Sequence, residues 1–387
     1  MTDDEVLFQI TKDKLETGMR GFPVGYCTTS HVDPEKGLFY IGTPIPELAY
    51  WEPIEVIYLL YHGKRGSTAE VKTFAHLIAD RSSCHPDVVE AISALPRKGH
   101  PMKLFCAALL ILGMYEGTGD YREDCLNLIA KIPHLVACVI NHHAGWGETP
   151  VPRTDLGYME NVCHMLRIPG ARQEELVRAM KLFNILHYDH GGGNLSTFVG
   201  KAVASGLEDM FGSIASAMCA LAGPRHGKAN QDSLQFVLDV LEEVGEDATA
   251  SQVERLLRHR LETNQLVYGF GHAVLRVEDP RATVQYDFCQ KHYPDEPLVK
   301  IALLLRSEGS KVLAENPKIS DPHPNVDAIS GTMLTVAGFS DPDYYTVLFG
   351  LSRTVGIAMQ IVYERLEARG GKGTPIVRPK YLYKPRN

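Results

Sequence analysis

Five stretches of the chain concentrate residues that can move protons or hold anions. The first is Gly223-Pro224-Arg225-His226-Gly227-Lys228-Ala229-Asn230. Small and apolar residues from Met210 to Ala222 precede it, and Leu234, Val237, Leu238, Leu241 and Val244 follow at helical spacing up to Gly245. The spacing predicts a turn between two helices, with Gly223-Pro224 as the stop and Asn230 as the N-cap of the second. A histidine at a helix start lies beside oriented backbone N–H groups. The positive helix end disfavours the imidazolium, so a neutral ring is available to donate a hydrogen bond to a developing oxyanion. The competing reading is a loop histidine satisfied by backbone.

The second stretch is His187-Tyr188-Asp189-His190-Gly191-Gly192-Gly193-Asn194. Histidines three apart beside an aspartate admit a metal, but no HExxH and no second cluster of that spacing accompanies them. Three glycines after His190 suit a loop where a small anion approaches the backbone. Metal, anion and plain core roles all remain open. The third is Val267-Tyr268-Gly269-Phe270-Gly271-His272-Ala273-Val274-Leu275-Arg276 with Asp279-Pro280-Arg281. It lacks the third glycine and the preceding strand of a dinucleotide fingerprint. A Gly-flanked histidine with two arginines behind it can instead hold a carboxylate, since arginine binds one in a bidentate fork; a solvated basic face is the alternative. The fourth, Pro324-Asn325-Val326-Asp327-Ala328-Ile329-Ser330-Gly331, offers Asp327 as a helix N-cap or a carboxylate base. The fifth is Tyr344 to Arg353, with Arg378 near the end. An arginine closing an apolar segment needs an anion or a carboxylate partner.

The elements that must position these residues are almost all helical. The first fifty residues are the exception, with a short strand at Leu38–Ile41. Helical periodicity dominates from Pro53. Met102 to Met114 is apolar nearly all round, as a central helix is. Tyr121 to Ala144 reads as a helix pair or one helix kinked at Pro133. Helices resume at Leu156–Leu166 and Gln173–Leu186. Ser251 and Glu254 form a capping box, Glu308 to Pro324 reads as a surface connection, and Tyr344 to Ala368 is helical again.

The whole chain sets bounds. Its 387 residues are 44% hydrophobic and 22% charged, a soluble globular balance. A net charge of −8 argues against nucleic acid or an anionic membrane as partner. Two charge-free stretches, Ile132–Gly147 and Met210–Pro224, are too short or too interrupted to span a bilayer. Eight cysteines without a CxxC suit buried, reduced thiols. The acidic Met1–Glu5 resembles no signal or transit peptide, so a cytoplasmic location is expected.

Taken together, these stretches resemble the citrate synthase family, from Gly18-Met19-Arg20-Gly21 to Arg378. The most specific matches are the segments around His226, His272 to Arg281, and Asp327, in the family's order and spacing. Ala273-Val274-Leu275-Arg276 resembles the branch that includes the mitochondrial, si-type dimeric enzymes. The resemblance implies an all-α, two-domain fold with minor β structure near the N-terminus. Residues 1–227 and 339–387 would form the large helical domain and 228–338 an inserted small one. It implies condensation of acetyl-CoA with oxaloacetate and hydrolysis of citryl-CoA, without a permanently bound cofactor or metal; the CoA thioester is a co-substrate. Asp327 matches the base, His226 the donor to the enolate, and His272 the residue that polarises the oxaloacetate carbonyl. His190, Arg281 and Arg353 match carboxylate binders, joined by Arg378 from the neighbouring subunit of a homodimer. Arg276 and Arg20 match CoA-phosphate contacts, and Gly269 and Gly271 belong to the adenine-side loop. Asn194 and Ser196 would support the two histidine loops. Arg225, Lys228 and Ile41 depart from the family's usual residues and bear on CoA affinity and pKa tuning. The alternatives are 2-methylcitrate synthase using propionyl-CoA, a catalytically silent helical dimer, and a metal hydrolase built on His187, Asp189 and His190.

Overall fold

Three short strands open the fold and helices make up nearly all the rest. The computed structural model describes residues 6–386; Met1–Glu5, whose acidity bears on targeting, lie outside them. Strands β1 (Ser30–Asp33), β2 (Gly37–Tyr40) and β3 (Thr43–Pro44) form an antiparallel sheet in that order, with Ser30 opposite Tyr40 and Phe39 opposite Pro44. The strand expected at Leu38–Ile41 stops one residue early, because Ile41 and Gly42 both take positive φ and turn the chain.

The helices in the first half are α1 (Ile45–Leu48), α2 (Pro53–His62), α3 (Thr68–Asp80), α4 (Pro86–Ser93), α5 (Pro101–Glu116), α6 (Tyr121–Ala144), α7 (Tyr158–Met165), α8 (Gln173–His187), α9 (Leu195–Ala204) and α10 (Met210–Leu221). There follow α11 (Ala229–Val244), α12 (Ala250–Glu262), α13 (Pro280–His292), α14 (Pro297–Ala314), α15 (Asp327–Val336) and α16 (Tyr345–Val362). The chain is mostly helical with this small sheet, the fold class expected.

Helix α16 is the axis of the structure. Every one of its residues is buried, and it packs against α6, α8, α9 and α10. Each fully buried leucine, isoleucine or valine on it contributes ~1.5–3 kcal/mol relative to exposure. The small residues of α10 serve the close packing of that helix on α9 and α5. Helix α6 is one continuous helix despite Pro133. The carbonyl of Ile129, which the proline leaves without its helical donor, accepts from the Tyr158 hydroxyl at 2.8 Å. The apolar windows of α6 and of the Pro342–Gly371 segment are long enough to cross a membrane, yet 83% and 100% of them are buried inside the protein.

Helices α11 to α15 pack chiefly on one another. They touch the rest chiefly through α13 against α1 and β2, α15 against α8, and α11 against α16. Three local expectations change here. The connection expected from Glu308 starts only after Ala314, because Gly309 lies inside α14 and makes room for the Phe270 ring. The capping box of α12 uses Thr249 and Gln252, two residues earlier than Ser251 and Glu254. Asn230 is not an N-cap; Lys228 occupies that position and Asn230 is buried within the first turn.

Candidate active site

His226 lies in the turn between α10 and α11, but its ring serves a different helix. Its Nε2 accepts the backbone N–H of Ser196 at 3.2 Å and stands 2.9 Å from the Ser196 hydroxyl. Ser196 is in the first turn of α9, where N–H groups have no helical acceptor. A backbone N–H can only donate, so Nε2 holds the lone pair and Nδ1 carries the proton. The His226 pKa is pushed down to about 4, by burial first and then by Arg353. The ring is neutral as the sequence suggests, though burial is the main cause and the helix end it caps is that of α9. Asn194 N-caps the same helix, its Oδ1 accepting from Thr197 N–H at 3.2 Å, while its Nδ2 donates to the carbonyls of His190 and Gly191.

His272 has the opposite tautomer. Its Nδ1 accepts two backbone N–H groups, of Val274 at 3.0 Å and Leu275 at 2.9 Å, so the proton sits on Nε2. Burial, with Arg281 next in weight, holds its pKa below the usual histidine value. The loop that carries it is fastened to the Asp327 segment. Gly271 N–H donates to His323 O at 3.0 Å, Asn325 N–H to Gly269 O at 2.9 Å, and Asn325 Nδ2 to Gly271 O at 3.0 Å. Gly269 has φ +82°, and a Cβ there would stand 2.8 Å from the Ala328 backbone, so only glycine allows this approach. His272 and Asp327 thus belong to one mechanical unit.

Asp327 is the first residue of α15. It caps nothing, and its buried Oδ1 has no hydrogen-bond partner. Burial raises its pKa to about 6 against the pull of Arg281, with Asp279 adding to the rise. A carboxylate in that state takes up a proton near neutral pH, as a general base must.

Two guanidinium groups complete the interior. Arg353 is 2% exposed; its Nε donates to His187 O at 3.0 Å, and no ion pair involves it among the described residues. Burial pulls its pKa down to about 10, which leaves it charged at neutral pH. An unpaired buried cation costs several kcal/mol unless an anion arrives. Arg281 is equally buried but is clamped by Asp279, at 2.6 Å for the shortest contact. Asp279 also N-caps α13, accepting from Arg281 N–H at 2.9 Å. The ring of Phe349 stands among these groups, 4.8 Å from the Arg353 guanidinium carbon and 6.4 Å from the His226 ring. His190 lies edge-on to His272 at 5.2 Å, and its buried Nε2 has no partner.

The structure therefore gathers His190, His272, Arg281, Asp327, Arg353 and His226 around one interior. Arg276, Arg20 and Arg378 lie apart. Arg276 is exposed and folds back on the carbonyl oxygens of its own loop, at 2.6 Å to Leu275 O. Arg20 and Arg378 are exposed, and neither makes an ion pair among the described residues. The metal reading of the His187 stretch fails on donors. His187 Nδ1 bonds Phe183 O at 2.7 Å, both Asp189 oxygens already accept hydrogen bonds, and no three metal-ligating side chains are grouped among the described residues. Two supporting residues escape a reading by motif. Thr29 carries no signal. Gln360 carries one, as a polar side chain in an otherwise apolar run.

Comparison with known proteins decides the lineage. The sequence pattern described as "Citrate synthase, C-terminal domain" matches residues 18–380. The chain belongs to the citrate synthase family. It is therefore an acyltransferase. Citrate synthase 4, mitochondrial, of Arabidopsis thaliana is 37% identical over 399 residues, covering 97% of this chain and 82% of that protein. Among solved structures, citrate synthase from Thermotoga maritima superposes with a TM-score of 0.81 at 27% identity, over 96% of this chain and 97% of that one. Citrate synthase from Pyrobaculum aerophilum gives 0.80 at 29% identity, over 96% and 92%.

Proposed function

We propose that this citrate synthase condenses acetyl-CoA with oxaloacetate through Asp327, His226 and His272. Asp327 takes a proton from the acetyl methyl group while the Nδ1–H of His226 hydrogen-bonds the thioester oxygen that becomes the enolate. The enolate carbon attacks the oxaloacetate carbonyl. The Nε2–H of His272 polarises that carbonyl and supplies the proton its oxygen gains. Water then cleaves citryl-CoA, releasing citrate and CoA. Arg353, Arg281 and His190 hold the dianion. Acetyl-CoA enters as a substrate; no resident cofactor is needed.

The observation that carries this reading is the Asp327 carboxylate, raised to about 6 and lacking a partner on Oδ1, on the same unit as His272. The two histidines present opposite protonated nitrogens, one for each oxygen that gains charge. We assign 228–338 as a small domain that closes over oxaloacetate, excluding water until the carbon–carbon bond forms. Its helices pack chiefly on one another, which supports such movement. Arg276, Arg20 and the loop of Gly269 and Gly271 take the CoA end.

A homodimer in which Arg378 enters the neighbouring site completes the proposal. Its support is exposed apolar surface: Leu110 and Met114 on α5, Leu195 on α9, and Tyr381 and Tyr383 beyond Arg378 at 91% and 92% exposure. The test is free thiol release from acetyl-CoA and, separately, propionyl-CoA. Oxaloacetate-dependent release that is faster with acetyl-CoA supports the assignment. A propionyl-CoA preference would transfer the same residues to 2-methylcitrate synthesis, and no release would refute the chemistry.

A further inference from the structure

We propose that Asp189 is the fixed counter-charge of Arg353, a positioning residue that shapes the His190 loop and limits how tightly the pocket grips its dianion. The inference rests on the oxaloacetate reading above. Asp189 is fully buried and forms no ion pair among the described residues. Three donors surround it instead. The Thr29 hydroxyl bonds Oδ2, Gln360 Nε2 bonds Oδ1 at 2.8 Å, and His190 N–H bonds Oδ1 at 2.8 Å. The last bond fixes the backbone from which the His190 ring projects.

Helix α16 builds this arrangement on one face. Arg353, Gly356 and Gln360 stand at i, i+3 and i+7. A Cβ on Gly356 would lie 2.7 Å from Asp189 Cγ and 2.5 Å from Tyr188 O, so the bare helix backbone there is what lets Asp189 lie against it, one turn from Arg353. The Gly356 N–H confirms the contact by donating to Tyr188 O at 3.1 Å. Gln360 cannot turn its amide round freely. Its Oε1 accepts from Lys201 Nζ at 3.3 Å, and Lys201 in turn pairs with Glu364 at 3.0 Å, which leaves the amide nitrogen facing Asp189. The charge of Asp189 also favours the protonated form of Arg353, against the effect of burial.

A negative charge held beside a dianion site weakens binding of that dianion and speeds departure of a still more negative product. The experiment is calorimetric titration of oxaloacetate into Asp189→Asn. Asparagine keeps an oxygen for His190 N–H and Gln360, and the Thr29 hydroxyl can rotate to accept. Only the charge is lost. The Kd is expected to fall roughly five- to tenfold, with the KM for acetyl-CoA within about twofold and kcat reduced as product lingers. Asp189→Ser also loses the charge while leaving a hydroxyl for the His190 N–H and Gln360; it is expected to lower the Kd likewise and decides the matter if Asp189→Asn does not fold. An unchanged or higher Kd in Asp189→Asn, or in Asp189→Ser where the first does not fold, overturns the counter-charge. Wild-type protein inactive with oxaloacetate and acetyl-CoA would instead remove the underlying reading.

Discussion

A buried carboxylate weakens the fold that holds it, and Asp327, the base proposed above, makes that cost measurable. Its pKa rises from 3.8 to about 6 on folding, burial being the chief cause. Between those values the folded state binds more protons than the unfolded state. Stability therefore falls as pH rises through that window, and the deficit is complete above it. The full shift corresponds to ~3 kcal/mol above pH 6, shrinking to less than ~1 kcal/mol at pH 4. Asp327→Asn removes the titration. Any cost of an unpaired amide group in the variant is the same at every pH. The difference between pH 8 and pH 4 in the stability change caused by the substitution is thus expected to be ~2.5 kcal/mol, in favour of the variant at pH 8. Urea unfolding of both proteins at the two pH values and one protein concentration measures it. A stability change independent of pH would refute the assignment of a strained, ionised Asp327.

Further outcomes follow from the same geometry. The kcat/KM for acetyl-CoA should fall with unit slope below pH 6 as Asp327 protonates in the free enzyme; His226, pushed down to about 4, should add no second ionisation above pH 5. An acid limb that begins above pH 7 would point to a different base. Arg353→Met should raise the KM for oxaloacetate by about a hundredfold or more, since it removes a buried charge kept for the dianion; oxaloacetate kinetics check it. Ser196→Ala keeps the backbone N–H that sets the His226 tautomer. Turnover should fall by less than about tenfold, the worth of one neutral hydrogen bond, with the KM for oxaloacetate unchanged; a loss of a thousandfold would mean the hydroxyl itself takes part.

The residues proposed to carry the chemistry are legible in the sequence because their motifs are local. His226, His272 and Asp327 each sit in a short stretch whose glycines, prolines and flanking apolar runs announce a turn beside a helix. What supports them is non-local. The residue that orients His226 is Ser196, thirty positions away on another helix, and no turn signal encodes that pairing. Asn230 has the composition of an N-cap, yet tertiary packing draws it inside α11. Gly309 reads as a breaker, but its role is to receive the Phe270 ring. Thr249 with Gln252 and Ser251 with Glu254 both fit a capping box, and only the backbone of Thr249, extended at φ −99° and ψ 156°, selects between them. Asp189 drew attention as a metal ligand; its surroundings, assembled from β1's approach, α8 and α16, assign it to hydrogen bonding instead.

The central claim is that Asp327 removes the methyl proton in a pocket whose oxaloacetate subsite is built by other residues. Asp327→Ala and wild type, compared side by side for oxaloacetate affinity and for oxaloacetate-dependent thiol release from acetyl-CoA, test it most directly. The expected result is oxaloacetate binding within a few-fold of wild type and turnover lower by about 10²–10⁴-fold. Near wild-type turnover in the variant would contradict the account.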